Sequence, residues 1–116
     1  MNDLIQKVQR HLTPAFLKVK PTIDHPLAGH CYVASEALYH LGLKDEGYTP
    51  CRGRDEDGVV HWWLVSPEGY IVDPTAAQYL ETGRTPPYAR GRPGGFLTRG
   101  PCRRTQALLA NIKLDH

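Results

Sequence analysis

The spacing of hydrophobic residues along the chain predicts three helices and one β-hairpin. Apolar residues recur at helical spacing over residues 3–12, 31–41 and 108–112. Residues 59–65 form a run of β-branched and aromatic residues, and residues 70–73 read as the returning strand. This order predicts an α+β fold with an antiparallel sheet. Both hairpin faces carry apolar residues, so we expect the second helix on one face and terminal segments on the other.

The turn between the two strands decides which side chains share a face of the hairpin. Pro67 suits the second position of a type I turn, and Gly69 suits the left-handed residue that follows it. A three-residue loop of this kind pairs Trp63 with Asp73. It also makes His61 and Asp73 diagonal neighbours on one face, within reach of each other. A loop of two or four residues would point His61 to the opposite face.

Composition and charge place bounds on the class of protein. A chain of 116 residues with 41% hydrophobic and 22% charged residues predicts a single domain over 1–116, and disorder throughout is excluded. A formal charge of +2 gives no general nucleic-acid signature. Three cysteines without a CxxC pair argue against a disulfide framework, and we expect no metal and no cofactor. The N-terminus lacks an apolar run, so a cytoplasmic protein without a membrane partner is expected.

Cys31 is the strongest candidate nucleophile in the sequence. It follows Gly29 and His30 and opens the second predicted helix, where the dipole and unpaired amides stabilise a thiolate. The same N–H groups can donate to an oxyanion. A nucleophile also needs a base, and the base needs an orienting partner. His61 and Asp73 supply both if the hairpin register brings them to one face.

Two stretches of sequence, GHCYVASEALYHLG at 29–42 and VVHWWLVSPEGYIVDPT at 59–75, carry a resemblance to a known family. They resemble the core of the transglutaminase-like branch of papain-like cysteine enzymes. The resemblance implies a minimal papain-like core in which Cys31 is the nucleophile, His61 the general base and acid, and Asp73 the orienting residue. The sequence departs from the family pattern at Tyr32, where many members carry Trp, and no glutamine lies just upstream of Cys31.

Other groups could complete such a site. Candidates for a second oxyanion donor or a substrate contact are the Gln78 amide and the indole of Trp62 or Trp63. His30, beside the nucleophile, either tunes its reactivity, hydrogen-bonds a substrate or is a solvated loop histidine.

Residues 84–104, called the arm below, contain six arginines and no acidic residue. These arginines either bind an anion or pair with the acidic residues of 45–57. The glycines and prolines predict a segment that orders by packing, or a flap over a cleft. The candidate anion-binding residues are Arg90, Arg92, Arg99, Arg103 and Arg104.

The expected reaction is acyl transfer from an amide to Cys31, with a protein, a peptide or a small amide as substrate. Hydrolysis by a peptidase, amidase or deamidase and transamidation both stay open. One alternative is a non-catalytic protein-binding module, such as an inhibitor of a host protein, that keeps the fold. Another is an anion or nucleic-acid binder that uses the arm. The tail at 94–112 is similar to small proteins of phages and mobile elements. This similarity does not indicate any particular activity.

Overall fold

The computed structural model describes residues 2–21 and 23–114, which form four α-helices and a four-stranded antiparallel sheet. The predicted α+β class is confirmed, whereas the predicted domain ends at 1 and 116 lie outside the described residues. The strands have the order β3-β2-β1-β4 in the sheet. The helices are α1 (Asn2–Arg10), α2 (Cys31–Leu38), α3 (Ala77–Leu80) and α4 (Arg103–Leu114). The strands are β1 (Thr49–Arg54), β2 (Val60–Val65), β3 (Ile71–Val72) and β4 (Arg92–Pro93).

The β2–β3 hairpin has the register that its turn residues predict. Val65 pairs with Ile71, and the Ser66 N–H donates to the Tyr70 carbonyl oxygen at 2.8 Å. Gly69 has a φ of 93°, the left-handed conformation that this loop requires of its last residue. The predicted three-residue loop is therefore confirmed.

The two faces of β2 pack against different parts of the chain. On one face Leu64 joins the hydrophobic core with the apolar residues of α2, and α1 and α4 also pack on that helix. On the other face the Trp63 ring lies 5.1 Å from that of Tyr88, and the His61 ring lies 4.8 Å from that of Tyr79. The expectation that terminal segments cover this second face is wrong. The rings of Tyr79 and Tyr88 cover it instead, and both terminal helices pack on α2.

The hydrophobic pattern of the sequence does not predict two strands of the sheet, β1 and β4. β1 has the sequence TPCRGR and pairs with β2 along its whole length, although Pro50 and Gly53 belong to residue types that are rare in strands. β4 adds a short edge strand in which Arg92 lies directly opposite Arg52. Long-range pairing with β2 therefore decides the conformation of β1, and local propensity does not.

The end of α2 differs from the expected end at Leu41. The α-helix ends at Leu38, and the backbone widens into a π-helical turn over Tyr39–Leu43. The Lys44 N–H accordingly reaches back five residues to the Tyr39 carbonyl oxygen, at 2.9 Å. Gly42, expected as the residue after the helix, lies inside this turn with a φ of 150°.

The arm is ordered by packing on the sheet and on α2. The Phe96 ring stacks on Trp62 with their centroids 5.3 Å apart. Glu36 of α2 is fully buried and accepts a hydrogen bond from the Cys102 N–H at 2.9 Å. Within residues 2–21 and 23–114, no helix combines the length and the apolar character that crossing a membrane requires.

Candidate active site

His61 and Asp73 form a buried pair at the start of β2 and the end of β3. The imidazole Nε2 lies 2.6 Å from Asp73 Oδ2, and both side chains are almost fully buried. The same Oδ2 accepts the Tyr88 hydroxyl at 2.7 Å, and Oδ1 accepts the Thr75 N–H at 3.0 Å. Both carboxylate oxygens are thus fixed, and the carboxylate in turn fixes the plane of the imidazole.

Cys31 is the first residue of α2 and is half-buried. Its Sγ lies 3.8 Å from the carbonyl oxygen of Val60, the residue before His61. Because Cys31 opens the helix, its main-chain N–H has no acceptor within the helix. The N-terminus of α2 and the first residues of β2 therefore bring the thiol and the imidazole into one neighbourhood.

The second ring nitrogen of His61, Nδ1, is buried and has no hydrogen-bond partner among the described residues. Because Asp73 occupies Nε2, Nδ1 is the nitrogen that remains for the Cys31 sulfur. The Cys31 sulfur interacts with the imidazole, since it contributes to the raised pKa of His61, but no hydrogen bond joins it to Nδ1.

The surroundings of His61 favour its protonated form. Burial alone would lower its pKa, but the hydrogen bond and charge of Asp73, together with the nearby Cys31 sulfur, raise the pKa to about 9. The imidazole beside Cys31 is therefore held in its charged form at neutral pH.

A cleft with a volume of about 320 Å³ opens beside these groups. Cys31, His61, Trp62 and Gln78 all contribute to its wall, and the lining is largely apolar. This volume is at the lower end of the range for small-molecule sites. The cleft therefore suits one side chain or a small acyl group.

Two of the three candidate donor side chains reach this cleft. Gln78 is buried, and its Nε2 donates to Thr75 Oγ1 at 3.1 Å, which leaves one amide hydrogen for another acceptor. Trp62 lines the cleft but Trp63 does not. Trp63 instead stacks on the His61 ring, with centroids 5.7 Å apart and an angle of 27° between the planes.

His30 is a buried residue, so the reading as a solvated loop histidine is wrong. Its side chain is 2% exposed, and Nδ1 has no hydrogen-bond partner among the described residues. Burial lowers the pKa of His30, and the Arg104 guanidinium lowers it further. His30 is not part of the cleft wall.

The arginines of the arm fall into three groups. Arg84 pairs with Asp55 and Asp57, so the pairing with the acidic residues of 45–57 holds for this arginine. Arg104 lines the cleft. The others are exposed and have no carboxylate partner among the described residues; they are Arg90, Arg92, Arg99 and Arg103.

Tyr88, Asp55 and Tyr79 support the site and were not predicted. Tyr88 anchors Asp73, and Asp55 accepts the Tyr79 hydroxyl at 2.7 Å and the Val59 N–H at 3.0 Å. Burial raises the pKa of Asp55, but these hydrogen bonds outweigh it and lower the pKa. The sequence feature that points to Asp55 is the DEDG stretch at 55–58, which is typical of an Asx-capped turn. It can be interpreted as the turn after a strand only when β1 is known.

No protein-family model, no curated protein and no solved structure matches the chain. Among the described residues, no three His, Cys, Asp or Glu side chains are grouped to hold a metal ion. Cys31, Cys51 and Cys102 are free thiols.

Proposed function

We propose that this protein is a cysteine acyl hydrolase or acyltransferase that uses Cys31, His61 and Asp73. One observation carries the proposal: His61 Nε2 is bonded to Asp73, while its buried Nδ1 has no partner within residues 2–21 and 23–114 and is left for Cys31 at the cleft wall. A buried imidazole normally satisfies both nitrogens or avoids charge. In this protein His61 Nδ1 is left available to accept and release a proton during the reaction.

In the first half-reaction, the Cys31 sulfur attacks the carbonyl carbon of an amide. The thiol proton resides on His61 Nδ1, and the negative charge develops on the carbonyl oxygen. In this proposal the donors to that oxygen are the Cys31 N–H, at the start of α2, and the amide hydrogen of Gln78 that Thr75 leaves free. His61 then passes its proton to the departing nitrogen, the C–N bond breaks, and a thioester on Cys31 remains.

In the second half-reaction, a water or an amine attacks the thioester carbon. His61 accepts the proton of the attacking group and returns it to the Cys31 sulfur as the C–S bond breaks. Asp73 keeps the imidazole oriented through both steps. Water yields a hydrolase, and an amine yields a transamidase.

The fold assignment within this proposal is a minimal papain-like core of the transglutaminase-like branch. Its support is a nucleophile at a helix start, a base at the start of a central strand, and a carboxylate after the neighbouring strand. A cytoplasmic location belongs to the same proposal, because a reducing compartment keeps Cys31 as a thiol.

The test is the rate of alkylation of each cysteine by iodoacetamide between about pH 5 and about pH 10, read by peptide mass spectrometry. Cys102 is a matched control, since it is half-buried and immediately precedes α4. At pH 6 we expect Cys31 to react about ten to a hundred times faster than Cys102, because it has an imidazolium partner. His61→Gln should bring the Cys31 rate down to that of Cys102.

Acyl transfer itself is tested with p-nitrophenyl acetate. We expect a burst of about one p-nitrophenol per protein and an acetyl group on Cys31. Cys31→Ala should abolish the burst. Equal alkylation of Cys31 and Cys102, without a burst, would overturn the proposal in favour of a non-catalytic binding module of the same fold.

A second candidate function, binding of a nucleic-acid backbone, is favoured by one observation on the sheet edge. Arg92 lies directly opposite Arg52, a like-charge pair that costs stability unless an anion screens it. Binding of labelled single-stranded RNA should then weaken steeply with salt, and the double variant Arg52→Gln/Arg92→Gln should reduce the slope by about two. Binding with a flat salt response would remove this candidate.

A further inference from the structure

We infer that the acyl substrate of this site carries an anionic oxygen group, a carboxylate or a phosphate, separated from its reactive carbonyl by a short apolar carbon chain. The inference rests on the proposed function and specifies its substrate class. It comes from the charges along the cleft that holds Cys31. The wall brings three cationic side chains together with the nucleophile, from two segments distant in sequence: Lys18, Lys20 and Arg104.

Arg104 is a positioned cation and not a freely moving surface residue. It lies in the first turn of α4, is half-buried, and its Nη1 donates to the Phe16 carbonyl oxygen at 2.9 Å. This bond uses one of the five donors of a guanidinium, so the others remain for a ligand. A planar donor set held in place loses little entropy when it binds a carboxylate or phosphate.

Lys18 and Lys20 lie on the chain that leads from Phe16 towards α2, and both are exposed. Neither has a carboxylate partner among the described residues. Because Arg104 bonds to Phe16, it tethers this lysine-bearing segment to α4. The three charges therefore belong to one rim of the cleft.

Among the described residues that line the cleft, no available carboxylate balances these cations. Asp55 is the carboxylate in the wall, but its side chain is 1% exposed and its oxygens are occupied. Oδ2 accepts the Tyr79 hydroxyl and Arg84, and Oδ1 accepts two backbone N–H groups. The accessible charge that a ligand meets is thus positive, in a cleft whose remaining lining is largely apolar.

A substrate that fits these features has a short apolar carbon chain between its carbonyl and its anionic group. The carbonyl lies at Cys31, the carbon chain lies on the apolar wall, and the anion meets Arg104 and the lysines. Cationic substrates are disfavoured by the same charges.

The experiment compares two alkylating agents of similar size, neutral iodoacetamide and anionic iodoacetate, at Cys31 and at Cys102. We expect the iodoacetate-to-iodoacetamide rate ratio at Cys31 to exceed that at Cys102 by about three- to tenfold at low salt. The excess should disappear at about 0.5 M NaCl, because salt screens the attraction.

Variants assign the effect to the cleft rim. Arg104→Gln should lower the Cys31 ratio about three- to fivefold, and the double variant Lys18→Gln/Lys20→Gln should also lower it. The lysines are exposed, so the double variant avoids any folding defect. Lys113→Gln, which removes the same charge from the last turn of α4, is the matched control and should keep the wild-type ratio.

A competition assay determines whether the site prefers a carboxylate or a phosphate. Glutarate should slow iodoacetamide alkylation of Cys31 more than neutral glutaramide does, and inorganic phosphate tests the second source of charge. The better protector identifies the anion. Equal ratios at Cys31 and Cys102, with no protection by either anion, would overturn this inference. Fast alkylation by iodoacetamide in the same samples would leave the proposed function intact.

Discussion

The Tyr88 hydroxyl donates to Asp73 Oδ2 at 2.7 Å, so an aromatic residue of the arm holds the carboxylate that orients the imidazole. Tyr88 precedes β4 and packs its ring on Trp63. Burial, followed by the charge and hydrogen bond of Asp73, raises the pKa of Tyr88, which therefore stays a donor over the whole neutral range. The arm thus contributes to the candidate site although it supplies none of its three reacting groups.

Replacing this donor should cost stability. Tyr88→Phe keeps the ring on Trp63 but removes a hydrogen bond to a buried carboxylate, so we expect the free energy of unfolding to fall by about 1.5 to 3 kcal/mol. Urea denaturation measures the change. Tyr70→Phe is the control, because Tyr70 is 72% exposed and should shift the value by less than about 0.5 kcal/mol. Equal values for the two variants would contradict the role of Tyr88.

The pair of His61 and Asp73 predicts a stability that depends on pH. The folded pKa of about 9 exceeds the ordinary 6.5, so the stabilisation is complete below pH 6.5 and is lost as the pH rises through 9. The loss is at most about 3 kcal/mol. Asp73→Asn removes the charge that raises the pKa, and its unfolding free energy should change less over this interval. Parallel curves for wild type and variant in urea titrations would refute this account.

Asp55 predicts a dependence of the opposite sign. Its pKa is lowered on folding, so its stabilisation is present above about pH 3.8 and is lost as the pH falls through the folded value. Asp55→Asn should cost about 3 kcal/mol at pH 7, because Arg84 and the Tyr79 hydroxyl lose their charged acceptor. The gap between wild type and variant should narrow progressively as the pH falls below 3.8. The exposed Asp45→Asn serves as the reference, and a gap that does not narrow below pH 3.8 would speak against this interpretation.

Gln78 should matter for acylation more than for alkylation. Attack on p-nitrophenyl acetate creates an oxyanion, whereas displacement of iodide from iodoacetamide does not. Gln78→Met keeps the side-chain volume and should lower the acylation rate about ten- to a hundredfold, with a smaller change in alkylation. If both rates fell by the same factor, Gln78 would act on the position of Cys31 and not on the oxyanion.

Gly91 should tolerate no side chain. A Cβ at this position would overlap the Trp63 ring, which stacks on His61. Gly91→Ala should lower the free energy of unfolding by about 1 to 3 kcal/mol and slow the alkylation of Cys31. At Gly95 a Cβ would meet no atom within 4 Å, so Gly95→Ala should be close to neutral. Thermal unfolding of the two variants, measured side by side, gives the comparison.

The hairpin is the part of the fold that the sequence predicts in detail. Pro67 and Gly69 determine the loop length, and the loop length determines that His61 and Asp73 share a face. These determinants are local, because they lie in the few residues that connect the two strands. The position of Cys31 at a helix start is local in the same sense.

The missed features depend on contacts between distant residues. β1 contains Pro50 and Gly53 and becomes a strand through its pairing with β2. The burial of His30 and the contact of Tyr88 with Asp73 arise from packing of separate segments, for which no local pattern exists. The same holds for Arg104, whose place at the cleft follows from its bond to Phe16.

His61 lies on β2, which is paired with a strand on each side, and this has a consequence for the newly synthesised chain. The imidazole acquires its aspartate only after the β2–β3 turn has closed, and the thiol meets the imidazole only after the helix that begins at Cys31 docks on that layer. A nascent chain leaving the ribosome therefore carries an ordinary cysteine. On the chemistry proposed above, the reactive thiol therefore exists only in the folded protein and not in the unfolded polypeptide.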